Sequence, residues 1–146
     1  MTVSAVPAEV VRPLRALVLR PGLSPEQTAF DGDDAASTMH AAIERGGELA
    51  GAATVMLCPH PVHPAPGDWR IRGMATAPQW RGIGLGGELL AACLEHARAA
   101  GGRRVWCNAR IGARTLYERG GMSVEGEAFE IPPIGTHLLM SVRLDR

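Results

Sequence analysis

Lysine is missing from this chain altogether, and its fifteen cationic residues are all arginine. A phosphate loop of the Gly-Lys-Ser/Thr type is excluded on that ground, because nothing can supply its lysine. The formal net charge is +0 and the arginines form no run, so the basic footprint of a nucleic-acid binder is lacking. No apolar stretch approaches the roughly 20 residues of a membrane-spanning helix. The first residues show neither the charged nor the apolar region of a secretory leader, so neither membrane association nor export is expected. Cysteine is scarce: Cys58, Cys93 and Cys107 are an odd count without metal-ligand spacing. Reduced thiols in a cytoplasmic protein are therefore the expectation. Aromatic residues make up only 4%, and Tyr117 is the single tyrosine.

What remains is an ordinary globular composition, 146 residues with 46% hydrophobic content and no internal repeat. That length accommodates one domain with a core. Residues 1–10 carry no periodicity and are expected to be a loose tail ahead of a single domain over 11–146. Alternation predicts strands at Arg12–Arg20, Thr38–Glu44, Glu48–Leu57, Trp69–Thr76, Arg104–Asn108, Ser123–Phe129 and His137–Arg143. Arg45-Gly46-Gly47 marks a hairpin between the second and third. Ser24 to Phe30 can form a helical turn, with Ser24 capping and Pro25 at its first position. From Ile83 an amphipathic helix runs through Leu85, Leu89, Leu90, Cys93, Leu94 and Ala97 to Gly101-Gly102. A shorter helix is expected over Gly112–Arg119. Strand, helix, strand, helix and a closing hairpin is a mixed α/β organisation.

Two segments invite a metal reading. Asp31-Gly-Asp-Asp34 lacks the longer calcium-ligand pattern and reads as a solvated loop. His60 and His63 sit in the Pro-rich stretch Cys58–Gly67, which more simply describes a stiff surface loop. No metal is expected.

The chain is organised around Met74-Ala-Thr-Ala-Pro-Gln-Trp-Arg-Gly-Ile-Gly-Leu-Gly-Gly-Glu-Leu-Leu90. Four glycines crowd the first turn of a helix, where each costs about 1 kcal/mol relative to alanine. Bare N–H groups at a helix N-terminus form an anion site, most often for phosphate. Gly82-x-Gly84-x-x-Gly87 matches the dinucleotide fingerprint. Pro78 to Arg81 nevertheless separate it from the strand, and the next strand ends in Cys107-Asn108 without the required carboxylate. Gln79-Trp-Arg81-Gly82-Ile-Gly84, between a strand and Leu89-Leu90, instead resembles the acyl-CoA-binding motif of the GNAT superfamily of N-acyltransferases. Asn108 after the fifth strand and Tyr117 in the following helix, ahead of Gly121-Met122, resemble that family's second motif. Met122 stands where phenylalanine is common.

The resemblance implies a GNAT-like fold: an approximately seven-stranded mixed sheet, splayed between strands four and five and flanked by helices. The N-terminal helices are expected to be abbreviated. It also implies that N–H groups of Arg81, Gly82, Ile83, Gly84, Leu85, Gly86 and Gly87 hold the CoA pyrophosphate. Pantetheine would pair with backbone at Met74 and Thr76, an N–H near Met74 or Ala75 would polarise the thioester, and Asn108 would hold pantetheine or water. Tyr117 is implied as the general acid, with packing against the core and a bond to backbone as its alternative. A turn-forming role is the alternative for Asn108. Many family members place a Glu base on the fourth strand, where this chain has Arg70 and Arg72. His40, Glu130 and His137 are the candidate bases, followed by Asp68 and, last, a water relay; Glu130 and His137 bracket the Ile-Pro-Pro-Ile-Gly loop. The two arginines could meet a substrate carboxylate, or Arg72 could pair with Glu130. Cys107 and Cys93 read as packing residues, not as nucleophiles.

The expected function is transfer of an acetyl (acyl) group from acetyl-CoA to the primary amine of a small molecule by direct attack. The alternative is a CoA-binding sensor without turnover. The acceptor is not legible, and a homodimer is left open.

Overall fold

A computed structural model describes residues 2–144. Seven strands form one sheet: β1 (Ser4–Val6), β2 (Met39–Arg45), β3 (Glu48–Leu57), β4 (Asp68–Thr76), β5 (Arg104–Arg110), β6 (Ser123–Ile131) and β7 (Gly135–Arg143). Their order is β1-β2-β3-β4-β5-β7-β6. Among the described residues only β4 and β5 run parallel, because the helix α2 (Leu85–Ala99) crosses over between them. Gly46 and Gly47, at φ +58° and +79°, make the two-residue hairpin between β2 and β3.

One face of the sheet is covered by α2, whose Leu85, Leu89, Leu90, Cys93, Leu94 and Ala97 are buried. Ile43, Val55, Ile71, Val105 and Met140 meet them from the strands. Small strand residues let the helix close in: a Cβ on Gly51 would lie 2.9 Å from Leu89 Cδ1. Truncating a leucine in such a core to alanine costs about 2–5 kcal/mol. The short helix α3 (Arg114–Arg119) follows a 3₁₀ turn at Ile111–Ala113 and packs beside α2.

The N-terminal region departs from expectation. Ser4–Val6 is a strand paired with His40–Ala42, so the loose tail expected over residues 1–10 is corrected. Met1 of that tail, and residues 145–146 of the expected domain, lie outside the described residues. Arg12–Arg20 is not a strand either. Helix α1 (Ala8–Leu14) continues into a π-helical turn at Arg15–Leu19, followed by a 3₁₀ turn at Pro25–Thr28. Alternation through Leu14, Ala16 and Val18 loses to a helical spacing: Ala8, Val11 and Leu14 are buried, and Val11 and Leu14 pack on Ala52, Ala75 and Ala77. Pro13 lacks an N–H and crowds the preceding turn. The chain then widens to an i→i+5 bond from Arg20 N–H to Arg15 O at 3.1 Å. The helical turn expected over Ser24–Phe30 is the four-residue 3₁₀ turn, with Ser24 at its N-cap and Pro25 at its first position.

The acidic run is not wholly solvated. Asp31 and Asp34 are exposed, but Asp33 is buried and bonded to Arg15 through Nη1–Oδ2 (2.8 Å) and Nη2–Oδ1 (3.0 Å).

Candidate active site

Two devices in β4 shape the site. Its edge pairs with β5 at only three positions, Asp68↔Arg104, Trp69↔Val105 and Arg70↔Trp106, after which the strands diverge. On its other edge Gly73 and Met74 together face Ala53 of β3, a bulge that bends the strand there. Gly73 adopts φ +70°, and a Cβ would lie 3.1 Å from both Arg15 Nε and Phe30 Cε2. Beyond Arg70 the backbone of β4 therefore faces an opening in place of a neighbouring strand.

The glycine stretch sits at the end of that opening. Gly82 and Gly84 have φ +81° and +90°, which only glycine adopts without strain. Built Cβ atoms on Gly82, Gly84 and Gly87 would meet nothing within 4 Å. The first α2 bond is Glu88 N–H to Gly84 O at 3.3 Å, so the Leu85, Gly86 and Gly87 N–H groups precede the intrahelical ladder. No side chain caps this end. Open space, bare donors and the positive end of a helix dipole fit a pyrophosphate. Gly86 has a second reason: a Cβ would press on Leu116 of α3 at 3.2 Å. Arg81 extends alongside, its Nε donating to Thr76 O at 3.2 Å.

Next to the opening of β4 and β5 lies a cavity of about 250 Å³. Met74, Asn108, Tyr117 and His137, separated by up to 63 positions (137 − 74), all line it. Tyr117 comes from α3 and is buried. No hydrogen bond to its hydroxyl is found among the described residues, so the backbone-bonded alternative is not what the structure contains. Burial pushes the phenol well above its ordinary pKa, with Cys107 and Cys93 adding to the shift. Asn108 lies inside β5, paired with Leu139 of β7, so it forms no turn. His137 is buried, and its Nδ1–H donates to Gly135 O at 2.8 Å. A carbonyl can only accept, so the neutral ring keeps its lone pair on Nε2.

Other candidates are placed elsewhere. Glu130 is exposed and outside the cavity, and its carboxylate accepts a hydrogen bond from Thr136 Oγ1. Of the two residues expected to handle the amine proton, Glu130 thus stands away from the cavity and His137 lines it. Neighbouring strand residues point to opposite faces, and Ile131 is the one that lines the cavity. No Arg72–Glu130 ion pair forms. His40 is buried in a structural network: Nε2–H donates to Asp33 O at 2.9 Å, and Nδ1 meets Thr54 Oγ1 at 2.8 Å. Asp68 accepts from Arg104 and from the N–H groups of His60 and Ala65. His60 Nδ1 accepts from the Val62 and His63 N–H groups, while Nε2 faces Glu125 at 3.2 Å. Burial pushes the Cys93 and Cys107 thiols up to about 12, so neither offers a thiolate at neutral pH.

Sequence reasoning missed Arg15, Arg20, Phe30 and Arg110 of the cavity wall. For Arg110 a signal existed: it follows Asn108 by two along β5, hence on the same face. The others come from the helical region read as a strand and from the loop after it.

Comparison with known proteins agrees with this fold. The model of the acetyltransferase (GNAT) family matches residues 12–122. An uncharacterised N-acetyltransferase of Bacillus subtilis, YitI, is 31% identical over 140 residues, 96% of this chain and 94% of that protein. Among solved structures, Escherichia coli ElaA superposes with a TM-score of 0.76 at 17% identity, covering 96% of this chain and 97% of its own. An aminoglycoside 6'-N-acetyltransferase in complex with coenzyme A gives 0.72 at 12% identity, covering 100% of this chain and 98% of its own.

Proposed function

The chain belongs to the acetyltransferase (GNAT) family, and we propose that it moves an acetyl group from acetyl-CoA to the primary amine of a small molecule by direct attack. Acetyl-CoA supplies the activated thioester whose acetyl group is transferred. The glycine stretch from Arg81 to Gly87 holds the pyrophosphate through backbone N–H groups. The open edge of β4 at Met74, Ala75 and Thr76 receives pantetheine as an added strand. An N–H there aimed at the thioester oxygen contributes about 10²–10³ in rate. Asn108, on the facing strand, steadies the same arm or an ordered water.

The observation that carries the reading is the cavity itself. It brings a phenol with no internal partner and an imidazole with a free Nε2 to the opening of the sheet. Tyr117 holds its proton at Oη across the physiological range, and it gives that proton to the departing sulfur because a thiolate forming in the same buried site has its proton affinity raised by burial too. His137 takes the amine proton at Nε2, directly or through one water. The nitrogen lone pair forms the new C–N bond as the C–S bond breaks, so one proton leaves the amine and one arrives at sulfur. No covalent enzyme intermediate is required, in keeping with the inert thiols of Cys93 and Cys107.

The test is release of free thiol from acetyl-CoA across a panel of primary amines, with acetylated products identified by mass. Saturable, amine-dependent release is expected. Tight acetyl-CoA binding without release for any amine would mark a CoA sensor instead.

A further inference from the structure

The cavity wall is more basic than the chemistry above requires. Arg15, Arg20, Arg70, Arg72 and Arg110 all line it, and no aspartate or glutamate does. Arg15 is neutralised by Asp33 from behind. The other four have no carboxylate within ion-pair distance among the described residues. In a chain of net charge +0 with fifteen acidic residues, four partly buried arginines without a counter-charge around one cavity are not a matter of composition.

Their orientation is specific. The Arg72 guanidinium lies 3.9 Å from the Phe30 ring centroid, and Arg15 lies at 3.9 Å from the same ring. Arg70 lies 4.7 Å from the Trp106 ring, and its Nε is buried without a partner. Arg15 spends its N–H edges on Asp33, Thr28 and Thr54, whereas the ring contacts of Arg70 and Arg72 occupy their faces and leave their N–H edges available. Those edges form a fork that matches an oxyanion in two parallel hydrogen bonds. Arg70 and Arg72 are alternate residues of β4, so they present these edges from one face of the strand. Burial pushes Arg72 down to about 10, and the charges of Arg70 and Arg15 push the same way. A negative group entering the cavity offsets the repulsion and compensates the lost water with charge-assisted hydrogen bonds.

We propose that the acceptor carries an oxyanion, a carboxylate or a phosphate, beside its amine, and that Arg70 and Arg72 bind it while His137 faces the nitrogen. Arg20 and Arg110, which share Leu19 O as acceptor at 2.9 Å each, add positive field to the cavity. An unmodified polyamine or another cation-rich amine is disfavoured by the same field. This inference rests on the acetyltransferase reading above and narrows its substrate class.

The experiment uses matched amine pairs differing only in the anion: 2-aminoethyl phosphate against ethanolamine, and α-amino acids against their amides. Wild-type protein should favour the anionic member of at least one pair by 10-fold or more in kcat/KM. The phosphate and amino-acid arms identify which oxyanion is used. Arg72→Gln, and separately Arg70→Gln, should reduce that preference by about 10- to 100-fold, the size of a lost charge-assisted bond. Acetyl-CoA affinity should be unchanged in both. Preference for neutral or cationic amines, or an equal loss for both members of a pair, would overturn the inference while leaving the acetyltransferase reading intact. If no amine is turned over, the acetyltransferase reading fails, and calorimetry with CoA present decides the inference alone. Saturable binding of an anionic amine that Arg72→Gln weakens supports it, and no binding overturns it.

Discussion

Arg15 and Asp33, 18 positions apart, are joined by two parallel hydrogen bonds of 2.8 and 3.0 Å between side chains that are both buried. The pair ties the π-helical turn to the loop after the 3₁₀ turn, and Arg15 further donates to Thr28 O and Thr54 Oγ1. One wall of the cavity is thereby fixed before any ligand arrives. Such preorganisation lowers the ordering cost of binding.

Asp33→Asn leaves Arg15 buried without its counter-charge, a change that typically costs about 3–5 kcal/mol. Burial raises the Asp33 pKa, but the Arg15 hydrogen bonds, the Phe30 N–H and the nearby positive charge outweigh it, and the net shift is downward from 3.8. A lowered folded value means that this stabilisation is complete above the unfolded value and is lost as pH falls through the folded one. The gap in melting temperature between wild type and Asp33→Asn should be wide at pH 7 and begin to close only below about pH 4. A gap independent of pH would remove the ion pair from the account.

Gly87→Asp separates phosphate binding from helix stability. Residue 87 lies in the first turn of α2, has open space where its Cβ would go, and needs no positive φ. Aspartate there suits the helix dipole, worth about 0.3–1 kcal/mol, and replaces a poor helix former. The melting temperature should hold or rise while the Kd for acetyl-CoA increases at least 10-fold by calorimetry. Undiminished affinity would move the pyrophosphate away from this turn.

The parts legible in the sequence were those with local signals. Gly82 and Gly84 announced the turn ahead of α2, where both adopt a positive φ that excludes other residues. α2 announced itself by its apolar spacing, and β3 was bounded at Glu48–Leu57 as observed. Residues 12–20 failed as a strand because Leu14, Ala16 and Val18 satisfy a two-residue period by chance. Packing of Val11 and Leu14 on small residues of β3 and β4 decided otherwise, and those partners are tens of positions away. Asp33 was hidden in the same manner, since nothing local distinguishes it from Asp31 and Asp34. Tyr117, Asn108 and His137 could be named singly. Their meeting in one cavity depends on the splay of β4 and β5, a tertiary fact.

Tyr117→Phe removes one hydroxyl that bonds nothing else among the described residues. The melting temperature should therefore stay within about 1 kcal/mol-equivalent of wild type, since no internal hydrogen bond is lost. Loss of a general acid should lower kcat by about 10²–10⁴ with little change in KM for acetyl-CoA. Turnover near the wild-type rate on a good acceptor would return the phenol to a packing role.

His137 and Glu130 provide a paired comparison on neighbouring strands of one hairpin. His137 lines the cavity with Nε2 free, because Gly135 O holds the Nδ1 proton. Glu130 faces outward and is occupied by Thr136. If the imidazole takes the amine proton, His137→Asn should lower kcat/KM for the amine by about 10²–10⁴. Acetyl-CoA affinity should be retained, because the glycine turn lies on a different element. The deficit should shrink as pH rises, since more of the amine then arrives neutral and leaves the base one proton fewer to take. Glu130→Ala should stay near the wild-type rate at every pH, its carboxylate being outside the cavity. Both variants are judged by melting temperature first, so that misfolding is not read as lost catalysis. A fully active His137→Asn, or a Glu130→Ala that folds yet loses turnover, would reverse the assignment and place the base on the outer face of β6.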